Sequence, residues 1–136
     1  VTTYELIRGD DNRFVLIVET PDEDEPRRMV RTNLTLCDVE ILAKEAITDL
    51  NEDAVFWCGT VDSGATYETL TVREQAGDDI GKVDVLIPVE ATADMPDTSV
   101  RLIFDVVVTD SNASPSTVMF GQFTVRPDVN EAVVGP

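Results

Sequence analysis

The chain has 136 residues, 43% of them apolar, enough at that length to close one hydrophobic core without metals or disulfides as staples. Its 27 acids against 10 bases give a formal charge of −17, so association driven by nucleic-acid phosphates would meet repulsion, and a general nucleic-acid binder is excluded. The absence of histidine removes histidine-based triads, His-ligated zinc and haem, and the commonest general base at neutral pH, which counts against an enzyme.

The elements follow a regular rhythm. Most of the chain alternates apolar and polar residues with period two, is rich in Val, Thr, Ile and Phe, and is punctuated by Gly, Pro, Asn and Asp about every ten residues. Tyr4 to Arg8 reads as a first strand and Gly9 to Asn12 as a turn. Arg13 to Thr20 reads as a second strand, with Phe14, Leu16 and Val18 on one face. A single long strand kinked at Gly9 is the alternative. Pro21 to Pro26 encloses the acidic turn Asp22-Glu23-Asp24-Glu25.

In Leu34 to Lys44, alternation sends Cys37, Val39, Ile41 and Ala43 to one face, and Asp38, Glu40 and Lys44 to another that should be wet. Leu42 to Leu50 also suits a short helical turn. Ala54 to Cys58 is a compact apolar strand ending at Gly59, and Asp62-Ser63-Gly64 is a turn. Thr69 to Glu74 makes another strand with Leu70 and Val72 inward, closed by the turn Ala76 to Asp79. Gly81 to Pro88 alternates through Val83, Val85 and Ile87, and Val89 to Pro96 suits one helical turn stopped by Pro96.

Val100 to Thr109 carries the strongest strand pattern, with Leu102, Phe104, Val106 and Val108 as its core face and Asp105 on the other. Asp110 to Pro115 is a polar turn, and Met119 to Arg126 is the closing strand through Phe123 and Val125. These readings predict an all-β chain: an immunoglobulin-like β-sandwich of seven to nine antiparallel strands with one short helical turn. It forms a single domain over 1–127, followed by an extended tail over 128–136. The antibody disulfide signature is missing, since Trp57 directly precedes Cys58.

Cys37 and Cys58 form no CxxC unit and read as small buried hydrophobes, with a strand-to-strand disulfide as the oxidised alternative. No stretch approaches the roughly 18 apolar residues of a membrane span, and no basic region leading into an apolar one opens the chain. Neither a membrane partner nor a signal peptide is therefore expected. Only Lys44 and Lys82 among the bases are lysine. Dense carboxylates with few lysines fit a halophilic protein that holds a hydrated layer, and equally an acidic domain kept soluble by its charge.

Motifs that carry chemistry are sparse. Arg8-Gly9-Asp10 spells the tripeptide that integrins recognise, but three residues at a strand end read first as a tight turn. Asp10-Asp11, Asp22 to Glu25 and Asp78-Asp79 offer oxygen ligands to calcium without the spacing of a calcium loop, so solvated surface is the simpler reading. A glycosidase would need two acids across a cleft. Asp84 and Asp105 interrupt strands, yet their alternation sends both outward. No GxSxG elbow is present. The expectation is no catalytic residue, no cofactor and no metal. Trp57, Tyr67 and, in the tail, Val133 and Val134 are the candidate interface residues.

Several segments in order carry a family likeness: Arg8-Gly9-Asp10-Asp11 leading into Phe14 to Val18, Asn33-Leu34-Thr35 before an alternating strand, Gly81 to Pro88, and Ala91 to Pro96. Phe104 to Asp110 and Gly121 to Val129 complete the series. This order resembles the small immunoglobulin-like virion proteins of tailed viruses, and is similar to the N-terminal domain of upper-baseplate, fibre-anchoring proteins. The likeness runs over about residues 4 to 129 and is weakest over Glu45 to Glu68.

The resemblance implies a non-enzymatic structural protein on the outer surface of the virion, in the tail, baseplate or capsid. Upper-baseplate proteins continue into a helical, receptor-binding extension where this chain stops at Pro136, so an adaptor or decoration subunit is expected. Its partners would be other virion proteins and further copies of itself around a symmetry axis. A calcium-assisted glycan- or receptor-binding module, using Trp57 and Tyr67, is the alternative.

Overall fold

A computed structural model of the chain describes residues 2–46 and 53–127. Turn residues divide that length into ten strands: β1 (Thr2–Ile7), β2 (Asn12–Ile17), β3 (Glu19–Pro21), β4 (Met29–Arg31), β5 (Asp38–Lys44), β6 (Phe56–Gly59), β7 (Leu70–Val72), β8 (Lys82–Ile87), β9 (Val100–Thr109) and β10 (Pro115–Arg126). A 3-10 turn at Gly77–Asp79 precedes β8, and a single helical turn, α1 (Val89–Thr92), follows it.

The strands form a five-stranded sheet in the order β1-β10-β9-β5-β6, a three-stranded sheet β2-β8-β7, and a ribbon β3-β4. The all-β reading holds, with two corrections. The described residues hold ten strands rather than seven to nine, because the segment read as one strand from Arg13 to Thr20 changes partner at Val18 and its new partner, Met29–Arg31, is a strand that the alternation does not show. Pairing is also not antiparallel throughout, since β1 runs parallel to β10, Thr2 opposite Gly121 and Ile7 opposite Arg126.

The alternative of one kinked strand through Gly9 fails for a related reason: β1 and β2 belong to different sheets. The corner between them is fixed locally. Gly9 takes φ +79°, and the Asn12 side chain accepts from Ile7 N at 2.9 Å and donates to Ile7 O at 3.0 Å, standing in for a peptide unit.

Alternation decides what is buried. Leu6, Val39, Ile41, Leu102, Phe104, Val106 and Phe123 face inward from the large sheet, and Leu16, Leu70, Val83, Val85 and Ile87 face them from the small one. Each such side chain stabilises the fold by about 1.5–3 kcal/mol through lost apolar exposure. Stacked rings run through this layer, Phe104 on Phe123 at 4.4 Å and Tyr4 on Phe14 at 4.1 Å between centroids. The second pair fastens β1 to β2 across the two sheets, and the burial that this entails raises the Tyr4 phenol above its ordinary pKa.

Candidate interaction surface

The outward face of β5 departs from the expected wet surface. Leu42 and Lys44 are buried there at 3% and 5% exposure, although Lys44 was expected to point to water. The neighbouring strand explains it: Leu42 sits opposite Asp105 and Lys44 opposite Ile103 on β9. Lys44 Nζ donates to Asp105 Oδ2 at 3.0 Å, with side chains only 6% and 14% exposed. Asp105 does lie on the non-core face, as alternation requires, but there the carboxylate is largely buried and paired with Lys44.

Beside this pair, Trp57 on β6 and Tyr67 in the following loop come together. Tyr67 N donates to Trp57 O at 3.1 Å and Gly59 N to Tyr67 O at 2.8 Å, so the loop runs beside β6 as a single parallel bridge at Cys58. The two aromatics line a concavity of about 640 Å³ with Glu40, Leu42, Val107 and Pro115. Burial raises the Glu40 carboxyl above its usual range; the nearby Trp57 indole opposes the shift and Asp38 adds to it. The indole contact falls short of a formed bond, for Trp57 Nε1 is buried with no hydrogen-bond partner among the described residues. The hollow offers apolar surface beside one reluctant carboxylate, with the indole N–H sealed beneath it, and suits a partner that brings apolar surface.

The other sequence candidates fall elsewhere. Val133 and Val134, and the tail over 128–136, lie outside the described residues, as do residues 47–50 of the helical turn considered after Leu42; Leu42 to Lys44 belong to β5. Arg8 of the Arg-Gly-Asp tripeptide is tied down: its Nε donates to Met95 O at 2.8 Å, and Gly9 N donates to Thr92 Oγ1 at 3.0 Å. Asp11 Oδ1 accepts from Val89 N and so holds the start of α1.

Asp78 and Asp79 are engaged by cations rather than open to calcium. Lys82 Nζ lies 3.0 Å from Asp78, Arg31 also bonds Asp78, and Arg73 lies 3.2 Å from Asp79. Arg73 grips Asp84 as well, its Nε and NH2 at 3.0 and 2.9 Å, and that grip holds the Asp84 carboxyl below its ordinary range. Asp84 therefore sits on the outward face of the small sheet and Asp105 on that of the large sheet, with the core between them. They do not face one another across a cleft, the arrangement a paired-carboxylate hydrolase needs. Among the described residues no three acidic or cysteine side chains gather as a metal-ligand group, and no helix is long and apolar enough to cross a membrane.

Both cysteines are free, Cys58 buried and Cys37 partly so. Burial pushes the Cys58 thiol up to about 11. Sequence reasoning missed Glu40 and the Lys44–Asp105 pair. The available signal was the apolar company on the supposedly wet faces, Leu42 in β5 and Ile103 and Val107 in β9. No protein-family model matches the chain, and no curated protein sequence matches it.

Proposed function

We propose that this chain is a non-enzymatic structural subunit of a tailed-virus particle, an immunoglobulin-like sandwich acting through protein–protein contacts on the outer surface of tail, baseplate or capsid. The observation that carries the reading is the strand order. An immunoglobulin-like sandwich places strands B, E and D in one sheet and G, F and C in the other, with C′ beside C in the variable type. On this reading β2-β8-β7 would stand for B, E and D and β10-β9-β5-β6 for G, F, C and C′, with β1 alongside β10 and the β3-β4 ribbon between B and C. That order supports the module suggested by the sequence motifs from Arg8 to Val129.

Charge supports the location. At −17 the subunit is repelled from packaged DNA and faces solvent, where its carboxylates keep copies apart until specific contacts form. The test is mass spectrometry and electron cryo-microscopy of purified particles from the source of this sequence. Stoichiometric presence of the chain in ordered density on the particle exterior is expected, and its absence from purified particles overturns the proposal.

A second reading, a glycan- or receptor-binding module, is favoured by the hollow that Trp57 and Tyr67 line together. Glycan binding abolished by Trp57→Ala, with the fold intact by circular dichroism, would favour it. Dependence on added calcium would test the assisted form.

A further inference from the structure

The clearest unused feature is a long open strand edge. Val18 N donates to Gly81 O at 2.8 Å, continuing the β2–β8 register. Thr32 N then donates to Val18 O at 3.0 Å, and Asp22 N to Arg28 O at 2.8 Å, continuing the β3–β4 register. In an antiparallel pair the residues that exchange bonds alternate. The even-numbered residues from Asn12 to Asp22 therefore spend their peptide groups on β8 and then on β4, along one side of a nearly continuous strand.

The N–H and C=O groups of Arg13, Val15, Ile17 and Glu19 consequently point to the opposite side, where β2 and β3 are both sheet edges. Between Arg13 and Glu19 the edge has no lysine, proline or bulge to protect it, its charges stand only at the two ends, and Val15 and Ile17 are 39% and 36% exposed. A groove of about 400 Å³ opens beside this edge, lined by Val15, Ile17 and Glu19 together with Tyr4 and Met119 of the large sheet.

We propose that this edge pairs antiparallel with the same edge of a second copy of the chain, across a two-fold axis at Leu16. Parity allows only registers that oppose odd residues to odd residues, because only those carry free peptide groups. In the register centred on Leu16, Arg13 meets the second copy's Glu19, Val15 meets its Ile17, and both pairs recur by symmetry. Two apolar pairs lie between two ion pairs, so the edge is complementary to itself in both charge and apolarity. The small sheets of the two copies join into one six-stranded sheet. The contact is small and both copies carry the same net charge, so a weak, concentration-dependent dimer is expected at moderate salt.

The test is sedimentation equilibrium of the full chain from micromolar to about 1 mM at about 0.15 M salt, where contact pairs survive screening. Arg13→Glu and Glu19→Arg, each setting like charges opposite one another twice per dimer, should each weaken association by about tenfold or more. The double variant restores the pairs with reversed sign and should return to within about threefold of the wild type. Ile17→Pro, which removes an edge N–H without touching a bond to β8, should also abolish the dimer. Circular dichroism and thermal melts verify folding of each variant. A monomer at all concentrations, a dimer indifferent to Arg13→Glu and Ile17→Pro, or failure of the double variant to recover overturns the proposal. Because the assay uses the purified chain alone, its failure would leave the virion reading standing, and the converse.

Discussion

Replacing Lys44 by methionine should unfold the outer layer of the large sheet more readily than any surface charge change. The lysine is held 3.0 Å from Asp105 with side chains 6% and 14% exposed, so the substitution leaves a carboxylate largely out of water and without its counter-charge. Breaking one partner of a buried pair costs about 3–5 kcal/mol, and the residual exposure of Asp105 puts this case at the lower end, about 3 kcal/mol. For a chain of this size the loss corresponds to a fall in Tm of about 8–12 °C. Lys44→Met/Asp105→Leu removes both charges from between Leu42, Ile103 and Val107, and should return to within about 1 kcal/mol of the wild type. Urea unfolding followed by the fluorescence of Trp57, the only tryptophan, reports on this face directly, since Trp57 lies opposite Leu42 in the sheet. A Lys44→Met variant within about 0.5 kcal/mol of wild type, or a double variant no better than the single one, would refute the reasoning.

Three further outcomes are expected. Gly121→Ala would drive a Cβ into the buried Phe104 ring and to within 2.8 Å of Thr2 O on β1, so it should cost about 3 kcal/mol, measured by the same urea titration. Asp84 has its pKa lowered by Arg73, and Asp78 has its own lowered chiefly by Lys82; these carboxylates therefore stabilise the fold above their unfolded pKa near 3.9, and the contribution is lost as pH falls through the folded values. Asp84→Asn should flatten that acid limb of Tm against pH, whereas an unchanged limb counts against the Arg73 grip. With the Cys58 thiol pushed up to about 11 and buried, a disulfide reagent at pH 8 should titrate at most one thiol in the folded chain and two in denaturant; two fast-reacting thiols without denaturant would contradict the burial.

The period-two pattern named the inward residues of β5, β8 and β9 because side-chain direction in a strand is a local property, set by backbone geometry before any partner is chosen. It also located the turns at Gly9, Ser63 and Gly77, where glycines take positive φ or flank the reversal. Partner choice is different. Arg13 to Thr20 looks uniform in the sequence, yet its partner changes from β8 to β4 at Val18, and nothing local encodes that change.

The sequence by itself determined an all-β chain, its inward residues and an acidic surface, because these follow from alternation, turn chemistry and composition. Only the tertiary structure decided that β1 runs parallel to β10, that Lys44 and Asp105 pair largely out of water, and that Trp57 and Tyr67 share a hollow. These depend on which strands become neighbours, and the apolar residues that drive collapse are largely interchangeable between strands. Peptide-group parity then left one side of Arg13 to Glu19 open. Alternation fixes where each side chain points, and only the pairing fixes which backbone groups remain unspent.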